Sequence, residues 1–299
     1  MCAQKLSHDE NWPRANTLFT AGLNASDFAL IGIPAHKSSL SPTSANLTPA
    51  AIREALARYS TFAGSTKTDL TKLAMVDLGD VTDPDFADGE AKVAAYVEKL
   101  LANHKLVMAL GGDNSITYSV ARGLWRDLSN VGVITFDAHH DLRDGQSNGS
   151  PIWRLIQAGL PGKNIVQIGI SDFANSAAYS KRAEDNGITV INRTMMRSQS
   201  IEKIVTDALV IAGANGREIY VDVDVDVCDR SVAPACPASV PGGITADELR
   251  NAVRLVAKDS RVRAIDITEI DAALDTPDQR TIRLAALLVL EAAAGVASR

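Results

Sequence analysis

Short apolar runs rich in β-branched residues recur along this chain, and segments with helical spacing fill the intervals between them. Runs that are apolar at nearly every position are typical of strands that a parallel sheet buries on both faces. The predicted strands cover residues 28–33, 73–78, 106–110, 131–136, 165–170, 188–191, 218–225 and 262–268. This alternation predicts an α/β fold with three layers, in which helices cover both faces of one open, mainly parallel sheet of about eight strands.

Several intervals carry specific helix or loop signals. Residues 48–49 place a threonine before a proline, as at the start of a helix, and residues 245–258 begin with the threonine and glutamate of a capping box. Residues 89–103 and 284–297 have apolar side chains at helical spacing, and the second segment is expected to be a buried C-terminal helix. Residues 233–243 are too rich in proline and glycine for a regular element and are predicted to form a loop.

The composition limits the class of protein. The chain has 299 residues, of which 46% are hydrophobic and 22% charged, with a net charge of −6. α/β proteins of this length often fold as one unit, so we expect a single domain over residues 1–299. The acidic balance disfavours a nucleic-acid partner, which normally requires a basic face. No apolar run approaches the roughly 18 residues of a membrane span, so we expect no membrane partner.

The cysteines indicate the compartment. Cys2, Cys228 and Cys236 are sparse and form no CxxC pair, which argues against a disulfide framework and against a structural zinc site. We expect buried or idle thiols, as in a reducing cytoplasm. The polar N-terminus lacks the apolar stretch of a signal peptide, which also predicts a cytoplasmic location.

Two acidic clusters follow apolar runs. The first is Asp-Ala-His-His-Asp at residues 137–141, and the second is Asp-Val-Asp-Val-Asp at residues 222–226. Residues two apart in an extended strand point to the same side, so members of each cluster are expected to share a direction. Concentrated negative charge is costly unless a cation neutralises it, which predicts a metal site with mostly oxygen ligands.

Four polar segments stand at the carboxyl ends of predicted strands, namely residues 111–115, 137–141, 224–229 and Glu269. Ligands of open α/β sheets bind beyond these ends, so all four segments are expected to converge at one edge. The same carboxylates could bind a structural Ca²⁺ or Mg²⁺. The histidine within the cluster and the convergence of four segments favour catalysis.

These segments resemble the signatures of the ureohydrolase superfamily of arginases, agmatinases and formiminoglutamases. Gly-Gly-Asp-Asn-Ser, Asp-Ala-His-His-Asp, Asp-Val-Asp-Val-Cys-Asp and the late glutamate occur in the order of that superfamily. The formiminoglutamase branch is matched best, on residues 137–143, 148–151, 166–170, 233–237, 241–243 and 269–271. The resemblance covers roughly residues 100–290 and is more specific for the superfamily than for the branch.

The resemblance implies an arginase-like fold and a binuclear manganese site with two Mn²⁺ per subunit. The implied metal ligands are Asn114, Asp137, His139, Asp141, Asp224 and Asp226. Most of the superfamily has histidine where this chain has Asn114. A neutral amide oxygen is a weaker ligand for a transition metal than imidazole, so occupancy of the first metal position is expected to be weak.

The implied reaction is hydrolysis of N-formimidoyl-L-glutamate to L-glutamate and formamide, as in histidine degradation. A hydroxide bridging two divalent ions would attack the amidine carbon. Asp141, with Asp226 as the alternative, would take the remaining proton and pass it to the leaving amine. Glu269 is expected to bind the cationic amidine end through charge-assisted hydrogen bonds.

Substrate recognition is expected to involve Arg143, Asn148 and Glu269. Arg143 could bind a substrate carboxylate in bidentate fashion. Asn148-Gly149 stands where arginases and agmatinases usually have histidine and glycine, which weakens those two assignments. Ser171 stands where the branch often has a basic residue. A missing carboxylate contact could then come from another arginine, for which Arg154 and Arg280 are the candidates.

Two alternatives remain open. Another ureohydrolase activity, on agmatine or a guanidino acid, would release urea rather than formamide. A catalytically silent homologue is the second alternative, and Asn114 is the one feature that supports it. Ureohydrolases usually assemble as trimers or hexamers, so a homo-oligomer is expected. Asp113, Asp222, Asp229 and His140 are expected to serve supporting roles, and His8, His36 and His104 are assigned none.

Overall fold

The computed structural model describes residues 9–299, so the predictions for Cys2 and His8 lie outside the described residues. Nine parallel strands form one sheet, and a separate two-stranded hairpin is antiparallel. The strands are β1 (Phe19–Thr20), β2 (Ser26–Ile33), β3 (Phe62–Ala63), β4 (Thr68–Asp69), β5 (Met75–Asp80), β6 (His104–Gly111), β7 (Val131–Phe136), β8 (Ile165–Ile170), β9 (Thr189–Asn192), β10 (Glu218–Asp224) and β11 (Val262–Thr268).

The order of strands in the large sheet is β1-β5-β2-β6-β11-β10-β7-β8-β9. All eight predicted strands are present, and β7, β8 and β11 have the predicted bounds. Their residues are buried at almost every position, because helices cover both faces of the sheet. The ninth strand is β1, whose two residues pair with Met75 and Val76. Two residues carry no pattern from which a strand can be predicted.

The helices form the two outer layers. They are α1 (Thr48–Leu56), α2 (Phe86–Val97), α3 (Leu100–Asn103), α4 (Ile116–Leu124), α5 (Pro151–Gln157), α6 (Ala177–Asp185), α7 (Arg193–Met196), α8 (Ile201–Ala212), α9 (Ala246–Lys258) and α10 (Arg280–Val296). Side chains of α1, α8, α9 and α10 pack in one hydrophobic cluster, and those of α2, α4, α5 and α6 in the other. The predicted three-layer α/β fold is therefore confirmed.

The helix predictions hold except for two details. The capping box is present at the start of α9, and α10 is buried as expected. Thr48 does not cap α1, because its hydroxyl donates to the Ile270 carbonyl at 2.5 Å and Leu47 takes the cap position. The helix predicted over residues 89–103 is divided into α2 and α3. Residues 233–243 contain no helix or strand, as predicted.

The sheet order brings the polar segments together. Strands β6, β11, β10 and β7 are consecutive neighbours at the centre of the sheet, and each of the four segments follows one of them. The turn after β6 depends on Gly112, because a Cβ atom there would lie 1.9 Å from the Ala35 carbonyl oxygen. Within residues 9–299, no helix is both long and apolar enough to cross a membrane.

Candidate metal centre and active site

Except for Asp224, the last residue of β10, the candidate ligands lie in turns beyond the strand ends. Strand β7 ends at Phe136, so Asp137–Asp141 form an irregular segment. Asp226 lies in a short 3₁₀ turn, Val225–Val227, after β10 ends at Asp224. The expectation that strand alternation orients these side chains is therefore wrong. The turns bring the side chains together instead.

Asp137, His139 and Asp226 form the first cluster. His139 Nδ1 lies 2.7 Å from Asp226 Oδ2 and 3.5 Å from Asp137 Oδ1. The His139 backbone N–H donates to Asp137 Oδ1 at 2.6 Å, and the Ala138 N–H donates to Asp226 Oδ1 at 2.8 Å. One potential ligand atom from each of the three side chains lies within 4.8 Å of the other two. This spacing allows a single cation to contact all three.

Asp224 extends this cluster, and a thiol lies beside it. Potential ligand atoms of Asp224, Asp226 and Cys236 lie within 4.8 Å of one another, and all three residues are buried. Asp224 Oδ1 also accepts the Asp226 N–H at 2.8 Å, which fixes the turn between them. The sequence identified Cys236 only as a buried or idle thiol. The proline-rich loop that carries it returns to the site because its end pairs with Cys228 in a β-bridge at Ile244.

Asn114 and Asp141 form the other side of the site. The Asn114 Nδ2 amide donates to Asp141 Oδ2 at 2.6 Å, and both residues are buried. Asp141 has a φ of 53° and Glu269 a φ of 64°, a left-handed conformation that non-glycine residues rarely adopt. Such backbone is costly and persists where the surroundings enforce it, as at active sites. Two strained residues in one site support a functional role for both.

Burial and mutual repulsion control protonation in these clusters. Burial, followed by repulsion from Asp226, raises the pKa of Asp137 to about 7. Burial alone would lower the pKa of His139, but the Asp226 and Asp137 carboxylates raise it to about 12. Burial would raise the pKa of Asp226, but the His139 charge lowers it. Burial, followed by repulsion from neighbouring carboxylates, raises the pKa of Asp141 and Asp224 well above the usual value.

The donor set fits a divalent cation. Asp137 Oδ2 is buried and receives no hydrogen bond within the part of the chain that the structure describes. A buried polar atom without a partner is costly, and a cation would supply the partner. Carboxylate oxygens with one imidazole and one amide form a set that Mn²⁺ accepts. The residues present therefore fit the manganese that the sequence resemblance implies.

Stability and metal affinity are expected to respond to pH in opposite directions. The folded state holds a proton on Asp137 up to about pH 7, whereas the unfolded state releases it near 3.8. The contribution of Asp137 to the free energy of unfolding is therefore fully present below about pH 3.8 and is lost as the pH rises towards 7. Mn²⁺ must displace that proton, so its affinity should rise over the same interval, by up to about tenfold per pH unit for each proton displaced.

Thermal melts of EDTA-treated and Mn²⁺-loaded protein between about pH 5 and pH 7.5 test this expectation. As the pH rises over this interval, the melting temperature of the metal-free protein should fall by several degrees. The increase in melting temperature that Mn²⁺ produces should become larger. In Asp137→Asn, which cannot titrate, the fall should be smaller. A Mn²⁺ increment that shrinks as the pH rises would contradict the assignment of Asp137 as a metal ligand.

A cavity of about 380 Å³ opens onto the clusters, which is within the usual size range for small-molecule sites. Asp141, Asp224, Asp226 and Glu269 line its floor, together with His139. Burial, followed by repulsion from Asp113, raises the pKa of Glu269 to about 7. The lining of the cavity therefore includes four carboxyl groups.

Asn148 supports Glu269 and the cavity rim. Its Nδ2 donates to Glu269 Oε1 at 2.8 Å, and its Oδ1 accepts the Leu40 N–H at 3.0 Å. The Asn114 N–H also donates to Glu269 Oε1, at 2.8 Å. Within residues 9–299, no hydrogen bond reaches Glu269 Oε2, so this oxygen is available to a ligand. Asn148 lines the cavity, but its amide is engaged with the protein.

Arg143 lies exposed at the rim, whereas the two arginines considered as additional carboxylate contacts lie outside the cavity lining. The Arg143 guanidinium lies 6.0 Å from the Tyr179 ring and has no acidic partner among the described residues. Arg154 instead forms a bidentate ion pair with Glu90, and Arg280 forms an ion pair with Asp278. Neither side chain lines the cavity.

The residues expected to play supporting roles lie outside the metal clusters. Asp113 Oδ1 accepts the Ser115 N–H and hydroxyl at the turn into α4. Asp229 likewise accepts from Ser231 and from the Gly242 N–H, which ties down the loop after β10. Of the histidines, His140 Nδ1 lies 2.7 Å from Gln167 Oε1, as expected for a packing residue.

Asp222 and the two other described histidines are also outside these clusters. Asp222 is fully buried opposite Asp266 on β11, and burial raises its pKa well above the usual value. His36 lies 3.6 Å from Asp85, and His104 contacts Ser26 at 2.8 Å.

Arg193 is a supporting residue that sequence reasoning missed. Its guanidinium donates to the backbone carbonyls of Asp226, at 2.9 Å, and Gly169, at 3.1 Å. It therefore holds the turn that carries a candidate metal ligand against β8. Its charge also lies close to the buried carboxylates, although burial lowers its pKa. No local pattern links residues 193 and 226, so this role could not be read from the sequence.

Comparison with known proteins gives consistent results. A model of the arginase family matches residues 26–295. A formimidoylglutamase of Halalkalibacterium halodurans is 38% identical over 278 residues, which are 90% of this chain and 87% of that protein. The formimidoylglutamase structure from Bacillus subtilis has a TM-score of 0.92 at 33% identity and covers 99% of this chain and 95% of its own. Trypanosoma cruzi formiminoglutamase with Mn²⁺₂ has a TM-score of 0.87 at 26% identity, covering 96% and 99%.

Proposed function

This chain belongs to the arginase family, and we propose that it is a manganese-dependent amidine hydrolase that converts N-formimidoyl-L-glutamate and water into L-glutamate and formamide. The observation that carries the proposal is the convergence of His139 with the acidic clusters on the floor of one cavity. Similarity to two formimidoylglutamases over at least 90% of the chain supports the substrate.

The proposed cofactor is two Mn²⁺ per subunit, a number supported by the Mn²⁺₂ in the Trypanosoma cruzi relative. The residues that would hold them are Asn114, Asp137, His139, Asp141, Asp224 and Asp226. Bound divalent ions supply a nucleophile at neutral pH by lowering the pKa of a coordinated water. The protein contributes a buried, oxygen-rich set of ligands that burial alone would keep protonated.

Asp141 is the proposed proton carrier, with Asp226 as the alternative. Asp141 Oδ2 faces Asn114 at 2.6 Å, so Oδ1 is the atom that would accept a proton. Hydrolysis breaks the bond between the amidine carbon and the glutamate nitrogen, and that nitrogen must gain a proton to leave as an amine. Asp226 is the weaker candidate, because the charge of His139 lowers its pKa.

Glu269 is the proposed contact for the cationic amidine group. Asn148 and the Asn114 N–H fix its Oε1, which leaves Oε2 to accept a charge-assisted hydrogen bond from the substrate. Asn148 would then act through Glu269 rather than by touching the substrate. At the rim, Arg143 is the proposed partner of a substrate carboxylate.

Identification of the products tests the proposed reaction. We expect Mn²⁺-loaded protein to release glutamate and formamide in equal amounts from N-formimidoyl-L-glutamate and to release no urea from agmatine or guanidino acids. Urea release would instead favour the alternative ureohydrolase activity. Metal-loaded, folded protein that acts on neither class of substrate would favour the silent homologue.

Three further properties remain proposals. We propose one domain over residues 1–299, which is supported by the continuity of a sheet whose strands span residues 19–268. We also propose a homo-oligomer, a trimer or hexamer as is usual among ureohydrolases, and light scattering would test this. We further propose a cytoplasmic location, with which the free, buried thiols of Cys228 and Cys236 agree.

A further inference from the structure

The carboxamide of Asn114 has its oxygen turned away from Asp141. Asn114 Oδ1 accepts from the Thr268 hydroxyl at 2.9 Å. It also lies 3.0 Å from the Thr117 hydroxyl, whose single proton can be donated either to it or to Asp266 Oδ2. Its Nδ2 faces Asp141. An amide nitrogen has no free lone pair for a cation, so this orientation does not present a metal-binding atom beside Asp141. To bind a metal ion shared with Asp141, the carboxamide must flip about its Cβ–Cγ bond so that Oδ1 and Nδ2 exchange places.

Both threonine hydroxyls have the lone pairs that the rotated amide would need. A hydroxyl can donate one hydrogen bond and accept two, so each threonine can accept from the Asn114 Nδ2 after the rotation. The Thr117 hydroxyl already lies 2.7 Å from Asp266 Oδ2, so its proton has an acceptor when Asn114 Oδ1 turns away. All three residues are buried, with Thr117 fully buried and Thr268 and Asn114 each 1% exposed. No bulk solvent can therefore replace these partners.

On the basis of this geometry, and of the proposed function on which it rests, we propose that Thr117 and Thr268 are positioning residues that allow the Asn114 carboxamide to turn its oxygen to the first metal ion. Rotation breaks the hydrogen bond from Asn114 Nδ2 to Asp141 Oδ2. The Asn114 and Asp141 oxygens would both be available as ligands to a bound Mn²⁺, which would compensate for the lost hydrogen bond. The threonines then satisfy both N–H groups of the amide, which would otherwise be buried without acceptors.

Substitution of Thr268 by valine tests the proposal, since valine has nearly the same shape and no hydroxyl. The unrotated carboxamide oxygen keeps Thr117 as a donor, but the rotated amide leaves one N–H without an acceptor. T268V should therefore raise the Kd of the weaker Mn²⁺ position about tenfold and leave the tighter position within about twofold. T117V should act in the same direction. T268S, which keeps the hydroxyl, should restore an affinity close to that of the wild type.

The measurement is titration of metal-stripped protein with Mn²⁺, following free Mn²⁺ by its EPR signal, with a thermal melt of each variant. In an Asn114→Ala background, T268V should change neither Kd, because the hydroxyl acts through the carboxamide. Unchanged binding in folded T268V and T117V would overturn the proposal, and so would serine variants as weak as the valine variants. A wild-type chain that binds no Mn²⁺ would overturn the proposed function as well, whereas normal wild-type binding with unaffected valine variants would overturn this inference alone.

Discussion

Asp141→Asn is expected to lower kcat for glutamate release by about 10²- to 10⁴-fold, the usual range for loss of a group that transfers protons. The asparagine oxygen can take the place of Asp141 Oδ2 beside Asn114, but the NH₂ group that replaces Oδ1 cannot accept a proton. Asparagine also tolerates the left-handed backbone at this position, where φ is 53°, better than alanine does. The variant therefore removes the group that transfers the proton with little change to the fold.

Steady-state rates at saturating Mn²⁺ and substrate, together with a thermal melt, measure this effect. Asp144→Asn is the matched control, because Asp144 lies three residues away, is largely exposed and pairs with Arg182 outside the cavity. The control should keep its rate within about twofold. A folded, metal-loaded Asp141→Asn variant within about tenfold of the wild-type kcat would contradict the assignment of Asp141.

Glu269→Gln is expected to lower kcat/KM by about 10²-fold, mostly through KM. Removal of one member of a buried charge pair commonly weakens binding by this much or more. The contact with the cationic amidine group should stabilise the bound substrate and the transition state about equally, so its loss should raise KM more than it lowers kcat. Glutamine can keep Oε1 as an acceptor for the Asn114 N–H and the Asn148 amide, so the neighbouring loop should remain in place. The substitution therefore removes the negative charge of Glu269 while the side chain keeps its position.

The matched control is Glu202→Gln on α8, an exposed glutamate that lies outside the cavity and contacts Asn251. It should leave both kinetic constants unchanged within error. If Glu269→Gln reduced kcat with KM unchanged, Glu269 would act on the transition state rather than hold the substrate. If neither constant changed, the amidine group must bind elsewhere in the cavity.

The parts of this fold that depend on short-range patterns could be predicted from the sequence. Strands such as β7 and β11 are apolar at nearly every position because helices cover both faces, and their bounds follow from the ends of those runs. The convergence of the ligand segments follows from a rule for parallel sheets, and it needs no knowledge of strand order. For these reasons, the sequence was sufficient to predict the eight strands and the edge of the sheet at which the site lies.

The parts that depend on long-range contacts could not be predicted. Arg154 looked free to bind a substrate carboxylate, but it pairs with Glu90, which is 64 positions away. Cys236 reaches Asp224 only because a proline-rich loop folds back to the sheet. The orientation of the Asn114 carboxamide depends on Thr268, which is 154 positions away, so the residue type suggested a weak ligand but not how the amide is turned.

The measurement that tests the central claim most directly is the rate of glutamate release from N-formimidoyl-L-glutamate as Mn²⁺ is added to metal-stripped protein. The account predicts little turnover without metal and a rate that rises to a plateau at two ions per chain, with the second equivalent binding more weakly because asparagine occupies position 114. Formamide should accumulate in step with glutamate. Turnover that is independent of Mn²⁺, or no turnover by folded protein with two bound ions, would contradict the account.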